Sequence, residues 1–307
     1  MKEELVKTQD RDSEAKTTDT DDTVGGRFRW FVISLFVGSL VLFISIYVEG
    51  LRDHFINRFS NIYLVIPLLG GLFGMMRLNK VRRLYEVRRL VRDTYLIAVA
   101  LFCLGLVLWS IGCMIWMFLI FRYPEDQIPY PSLADAFYAL CFLCWTAGII
   151  YLYERSGKNV LHELNSSVAK FLVPVWGGIV TVVYLSHAAR LTADSPSKDL
   201  LKFGLDMFFP IVDLFNLSLF ITLLPGPGNE KLHIQGKPLR IIVIGYFFLC
   251  LASSSFTISS SLPENSPYHY YNGGFSDVMF AAAFTVLSIG ISLIPLGQIS
   301  RTRRIGS

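Results

Sequence analysis

Residues Pro131–Glu154 read PSLADAFYALCFLCWTAGIIYLYE, a membrane-length apolar segment with one acid, Asp135, just inside its start. A helix rises 1.5 Å per residue, so about 20 apolar residues cross the ~30 Å hydrocarbon layer of a bilayer. Two later segments repeat the pattern: FFPIVDLFNLSLFITLL around Asp213 and GGFSDVMFAAAFTVLSIGISLI around Asp277. Each has a lone Asp, an aromatic residue or Met two positions on, and then a long apolar run. The alignment predicts an array of helical hairpins with acids placed at one face of a membrane.

Composition agrees. The chain is 53% hydrophobic and 17% charged, with a mean hydropathy of +0.49, whereas soluble domains carry about 25% charged residues. Apolar runs fall at 28–48, 61–77, 94–121, 133–153, 168–188, 203–224, 239–260 and 276–297. The fold class expected is therefore an all-α integral membrane protein, with eight transmembrane helices arranged as four repeated hairpins. The eight runs leave no room for a soluble catalytic domain. Residues 1–26 lack the apolar core of a signal peptide and are too polar to fold alone, which predicts a disordered cytoplasmic tail. Residues 27–298 form the membrane domain, and 299–307 a short basic cytoplasmic tail. The sixth span starts either near Phe203 or at Pro210.

Loop charge sets orientation. Arg27 and Arg29, the 78–93 loop, Arg155, Lys158 and Lys170, Lys231, Lys237 and Arg240, and Arg301, Arg303 and Arg304 fall on one set of alternate loops. The other set carries Arg52, Arg58, Arg122, Arg190, Lys198 and Lys202. Both termini are thus expected in the cytoplasm, with the chain in the cell membrane. Arg82, Arg83, Arg88, Arg89 and Arg92 make a basic patch in NKVRRLYEVRRLVRD, read as a helix that continues from the third span or lies on the membrane. Such a patch meets anionic headgroups; its sharper reading is a docking stalk for a separate signalling partner. It is short and tied to the bilayer, which argues against nucleic-acid binding. Oligomeric state is not legible.

All five cysteines, Cys103, Cys113, Cys141, Cys144 and Cys250, lie inside expected spans. Cys141 and Cys144 form a CxxC, but mid-helix, with no second CxxC and no nearby His. Packing is the better reading, and no metal, cofactor or structural disulfide is expected. Gly70 and Gly71 are read as allowing close helix approach.

Ser132-Leu-Ala-Asp135 fits a capping box, with the Ser132 hydroxyl on the Asp135 amide and the Asp135 carboxylate on the Ser132 amide. Ser276 is expected to cap the last helix, with Asp277 in its first turn. Capping thus accounts for Asp135 and Asp277, and least well for Asp213, an acid inside the bilayer that is expensive unless paired or hydrated. If the hairpins stack, Asp135, Asp213, Asp277, Trp116, His187 and Tyr270 share one layer that could hold an ion or small ligand. The plainer readings are interfacial for His187 and headgroup anchoring for Tyr270. The chain has no GxSxG, HExxH or phosphate-loop signature, which leans away from an enzyme.

YPSLADAFYAL, LWSIGCMIW, FFPIVDLFNLSLF and YFFLCLASSSF…NGGFSDVMFAAAF resemble the multi-pass membrane input regions that precede diguanylate-cyclase or phosphodiesterase domains in bacterial and archaeal signalling proteins. The resemblance covers roughly residues 28–297. It implies a membrane-embedded sensory module. Two features depart from it: no GGDEF or EAL motif follows the last helix, and the seventh span has serines where an acid is expected. Signalling would then pass to a partner. The leading expectation is a non-catalytic sensor-like or accessory module. An ion-coupled transporter and a lipid-modifying membrane enzyme are the alternatives.

Overall fold

The computed structural model describes residues 2–46, 52–84, 94–123, 128–129, 131–156, 178, 196–224, 236–260, 262 and 274–294. Among them every regular element is helical: α1 Lys2–Ile46, α2 Arg52–Leu84, α3 Thr94–Arg122, α4 Leu133–Ser156, α5 Pro196–Leu223, α6 Gly236–Ser260 and α7 Phe275–Ser292. Six stretches are long and apolar enough to cross a membrane: Thr23–Ser45, Tyr63–Val81, Thr94–Arg122, Leu133–Ser156, Gly236–Ser260 and Phe275–Ser292. The apolar part of α5, Phe208–Leu223, is shorter. The run expected at 168–188 lies outside the described residues, apart from helical Gly178.

Helix ends depart from the sequence reading where polar residues carry the helix on. The backbone of α1 is helical from Lys2, through the segment expected to be a disordered tail. That segment has no Pro and keeps its Gly pair to its end, so nothing local stops the helix. The basic stretch 79–84 continues from α2, the second span, rather than from the third, which starts at Thr94. Helix α5 contains the span expected from Phe203 or Pro210 and extends further towards the N-terminus. It begins at Pro196, where a missing N–H costs nothing, and runs unbroken through Pro210. A membrane helix tolerates such a proline when neighbouring groups satisfy the freed carbonyl.

Six helices form a closed ring in chain order, α2–α3–α4–α5–α6–α7, with α7 returning to α2; α1 lies outside against α2 and α7. Contacts along each seam give helix direction. Gly112 meets Tyr138 while Gly105 meets Trp145, so α3 and α4 are antiparallel. Gly245 meets Leu287 and Gly290 meets Ile242, so α6 and α7 are antiparallel too. Two seams differ. Phe142 touches Phe209, Thr146 bonds Asn216 and Tyr153 bonds the Leu219 carbonyl, so α4 and α5 run parallel. Gly70 meets Ser288, Gly74 meets Ile291 and Arg77 donates to the Ser292 carbonyl at 2.6 Å, so α2 and α7 run parallel as well.

Small residues make the seams close. A Cβ on Gly71 would stand 2.7 Å from the Cys103 carbonyl oxygen and 2.8 Å from a Val107 methyl, and one on Gly70 would strike Ser288. The glycines therefore serve packing, as the sequence suggests. Trp109 fills the ring's interior, with ring centroids 4.7 Å from Tyr138, 5.3 Å from Phe280 and 5.1 Å from Phe284. Trp145 lies over Gly105 and donates its indole N–H to the Phe102 carbonyl at 3.2 Å. An apolar void of about 10 Å³ remains between Phe102, Trp145, Phe220 and Tyr246, about the size of one water.

Candidate functional site: a buried carboxyl group between three helices

Asp213 lies five residues along the apolar part of α5 from Phe208, ~8 Å at 1.5 Å per residue. Its side chain is 0% exposed, and among the described residues neither carboxyl oxygen has a hydrogen-bond partner. Ser253 and Tyr246 of α6 are the polar side chains placed to interact with it, both outside hydrogen-bond geometry. The Cys250 thiol donates to the Asp213 main-chain carbonyl at 3.4 Å, not to the carboxyl group. On the α4 side, Cys141 lies within reach of its charge.

Asn216 continues the site one turn further on the same face of α5. It is 0% exposed and satisfied at both ends. Its Nδ2 donates to the Tyr246 phenol oxygen at 2.9 Å, and its Oδ1 accepts from the Thr146 hydroxyl at 2.8 Å. The same hydroxyl is 2.9 Å from the Phe142 carbonyl. Thr146, Asn216 and Tyr246 thus form a polar chain from α4 through α5 to α6, ending beside Asp213. A neighbouring clasp joins Tyr153 of α4 to Thr222 and the Leu219 carbonyl of α5. Sequence reasoning missed Asn216. The Asp-x-x-Asn spacing within an apolar helix was the available signal; the partners on α4 and α6 come only from the fold.

The other two acids have local settings. Asp135 accepts from the Ser132 amide at 2.7 Å and from the Ser132 hydroxyl at 2.8 Å. The hydroxyl turns to the carboxylate instead of to the Asp135 amide, whose partner is the Ser132 carbonyl at 3.2 Å. This is half of the expected capping box: the Ser132 hydroxyl donates to the charged carboxylate, and the Asp135 amide donates to the Ser132 carbonyl instead of to the hydroxyl oxygen. Asp277 is in the first turn of α7 and buried, and its charge reaches Cys113 of α3. The cap of α7 is Gly274, with no side-chain cap bond, and not Ser276. The Ser276 hydroxyl instead pairs with Ser255 of α6 at 3.0 Å. Residue 255 belongs to the hydroxyl cluster that ends α6, and it joins the α6–α7 seam, while Thr257, Ser259 and Ser260 donate to carbonyls of their own helix.

Trp116 is half-buried on α3; the tryptophan at the centre of the aromatic core is Trp109, two helical turns earlier. His187 and Tyr270 lie outside the described residues, as do Arg88, Arg89 and Arg92. Arg82 and Arg83 are in α2, but their side chains lie outside the described residues. All five cysteines are free thiols. Among the described residues no group of three or more His, Cys, Asp or Glu is placed to hold a metal ion. A lone carboxyl group beside a phenol, a hydroxyl and an amide can exchange a proton or bind a small cation. No protein-family model matches this chain, and neither the curated proteins nor the solved structures give a match.

Proposed function

We propose that this is a non-catalytic, sensor-like or accessory module of the cell membrane, similar to membrane input regions of signalling proteins. Eight transmembrane helices form four repeated hairpins, with both termini in the cytoplasm. An outer-facing polar layer takes an ion or small ligand, and the basic 78–93 segment passes the resulting shift to a separate partner. The observation that carries this reading is Asp213: fully buried, without a hydrogen bond, and next to a polar chain that spans three helices. A carboxyl group in that setting costs stability unless something neutralises it, so its presence there is best explained by use. The parallel run of α4 and α5 supports the eight-helix count, since a chain joining two parallel membrane helices has to return across the bilayer, and 168–188 is long and apolar enough to do so.

The test uses the full chain in lipid nanodiscs, titrated with protons and, separately, with NaCl. Trp145 stacks edge-on against Tyr246 with centroids 5.6 Å apart, so its fluorescence reports the α4–α6 seam. Asp213→Asn should abolish the titration response, and Asp135→Asn should leave it. The reading is abandoned if Asp213→Asn and Asp135→Asn both leave thermal stability, oligomeric state and the fluorescence response as in the wild type.

Ion-coupled transport is the second reading. It is favoured by Pro210, which sits inside α5 one turn before the acid, the arrangement by which transporters open helix backbone to ions. Uptake of a radiolabelled cation into vesicles containing the chain would favour it.

A further inference from the structure

We infer that Asp213 is a proton-binding site, read out by reversal of the Thr146–Asn216–Tyr246 hydrogen-bond chain across α4, α5 and α6. The inference rests on the sensing reading of this site and names its ligand.

A buried carboxylate with no partner is the most costly state available to Asp213, and a proton or a cation relieves it. A hard cation takes six or more oxygens, or an octahedral set that keeps several waters. The setting here offers two carboxyl oxygens, one phenol and one hydroxyl, with the neighbouring void apolar and about the size of one water. A proton needs no space. Among the described residues the titratable groups that face Asp213 are Cys141 on α4 and Tyr246 and Cys250 on α6; none is a cation, so no side chain among them supplies the missing charge.

The chain has two self-consistent orders. The Thr146 hydroxyl carries one hydrogen and has two acceptors, the Asn216 Oδ1 at 2.8 Å and the Phe142 carbonyl at 2.9 Å. In the first order it donates to Asn216, Asn216 donates to the Tyr246 oxygen, and the Tyr246 O–H is left to point at an ionised Asp213. In the second order Asp213 carries the proton and donates to the Tyr246 oxygen. The Tyr246 O–H then donates to Asn216 Oδ1, the flipped amide donates to Thr146, and the Thr146 O–H returns to its own helix at Phe142. Each order satisfies Thr146 and Asn216, and each is completed when the Asp213 carboxyl group closes on the Tyr246 phenol, which stands beside it but outside hydrogen-bond geometry in this structure. The proton adds to one carboxyl oxygen and no covalent bond breaks. What changes is the bond between α4 and α5, which loses its Thr146 donor, and the bond between α5 and α6, which reverses. Binding of a proton at Asp213 is thereby felt at α4, two helices away from the serines of α6.

The experiment is difference infrared spectroscopy of the full chain in nanodiscs, on stepping the pH, with Trp145 fluorescence followed in parallel. A protonated-carboxyl C=O band should appear in the wild type, shift in D₂O and fade as pH rises. It should be lost in Asp213→Asn, displaced in Asp213→Glu, and kept in Asp135→Asn and Asp277→Asn. Tyr246→Phe should keep the band but abolish the fluorescence response, because the carboxyl group remains and its link to Asn216 is cut. A wild type without the band, a band that survives in Asp213→Asn, or a band removed by NaCl at constant pH overturns the proton site. If Asp213→Asn does not fold, the Asp135→Asn/Asp277→Asn double variant isolates the Asp213 band directly. A band that behaves as expected without a fluorescence response keeps the proton site and sinks the sensing reading. A fluorescence response to NaCl without any such band does the reverse.

Discussion

Asp135 and Asp213 carry the same side chain and do opposite things. Asp135 receives two hydrogen bonds from Ser132 at a helix start, where the dipole also favours its charge. Asp135→Ala should cost about 1 kcal/mol, the usual worth of a cap, read as a lower midpoint in thermal unfolding, without effect on any ligand response. Asn216 is the more expensive residue. Asn216→Leu strands the Tyr246 phenol from its donor and the Thr146 hydroxyl from one acceptor, at about 1–3 kcal/mol for buried groups left unpaired. An unchanged midpoint for Asn216→Leu would mean that the Thr146–Asn216–Tyr246 chain carries no net stability. Asp135 was legible because its partner is three residues away in the sequence. The burial of Asp213 was legible only as an acid inside an apolar run, and the roles of Thr146 and Tyr246 were not, because both are set by which helices happen to adjoin α5. The same limit explains Ser276, whose position suggests a cap and whose actual partner, Ser255, lies on another helix.

Helices show how far a hydropathy pattern reaches. Apolar runs located the six long spans, since burial in lipid demands length and composition that few other structures share. Their ends were less legible: a helix does not stop where hydropathy does, and α1, α2 and α5 all extend into polar sequence. Glycine placement separates helix–helix contact from lipid contact. Gly71 of α2 faces α3 with no room for a methyl group, while Gly38 of α1 has nothing within 4 Å. Gly71→Ala should destabilise by about 1–3 kcal/mol, because the obstruction is a backbone carbonyl and a branched side chain that cannot swing away. Gly38→Ala should be neutral or stabilise by up to about 1 kcal/mol through helix propensity alone. Unfolding of the two variants in mixed micelles compares them directly. Equal effects would mean that the α2–α3 seam relaxes freely. Gly105 belongs with Gly71, since the Trp145 indole covers it.

The whole molecule is organised by its two parallel seams. A bundle of consecutive up-and-down helices gives antiparallel neighbours throughout, as at α3–α4 and α6–α7. Six such helices closed into a ring would set α7 antiparallel to α2, so the parallel α2–α7 seam requires one further reversal of the chain between them. The α4–α5 seam is where that reversal enters. Thr146–Asn216 and Tyr153–Leu219 fix its direction through pairs that advance together, and a chain joining two parallel membrane helices has to return across the bilayer. Neither the ring nor its seam directions can be read from hydropathy, which gives span length but neither sidedness nor neighbours. Sidedness follows from the loop charges, and the two together make a specific expectation. In a Cys144→Ala background, which removes the half-buried native thiol, a membrane-impermeant maleimide applied to intact cells should label Thr192→Cys and Asn265→Cys. Asn159→Cys, Asn229→Cys and Ser307→Cys should be labelled only after permeabilisation. Labelling of both Asn159→Cys and Thr192→Cys from the same side would remove the crossing between them. The helix count would fall to seven, and α4 and α5 could not both span the bilayer in the direction their contacts require. Labelling of the two on opposite sides but with the sides exchanged would keep the eight helices and invert the chain, placing the acidic ends of α4 and α7 at the cytoplasmic face and moving the proton site to the other side of the membrane.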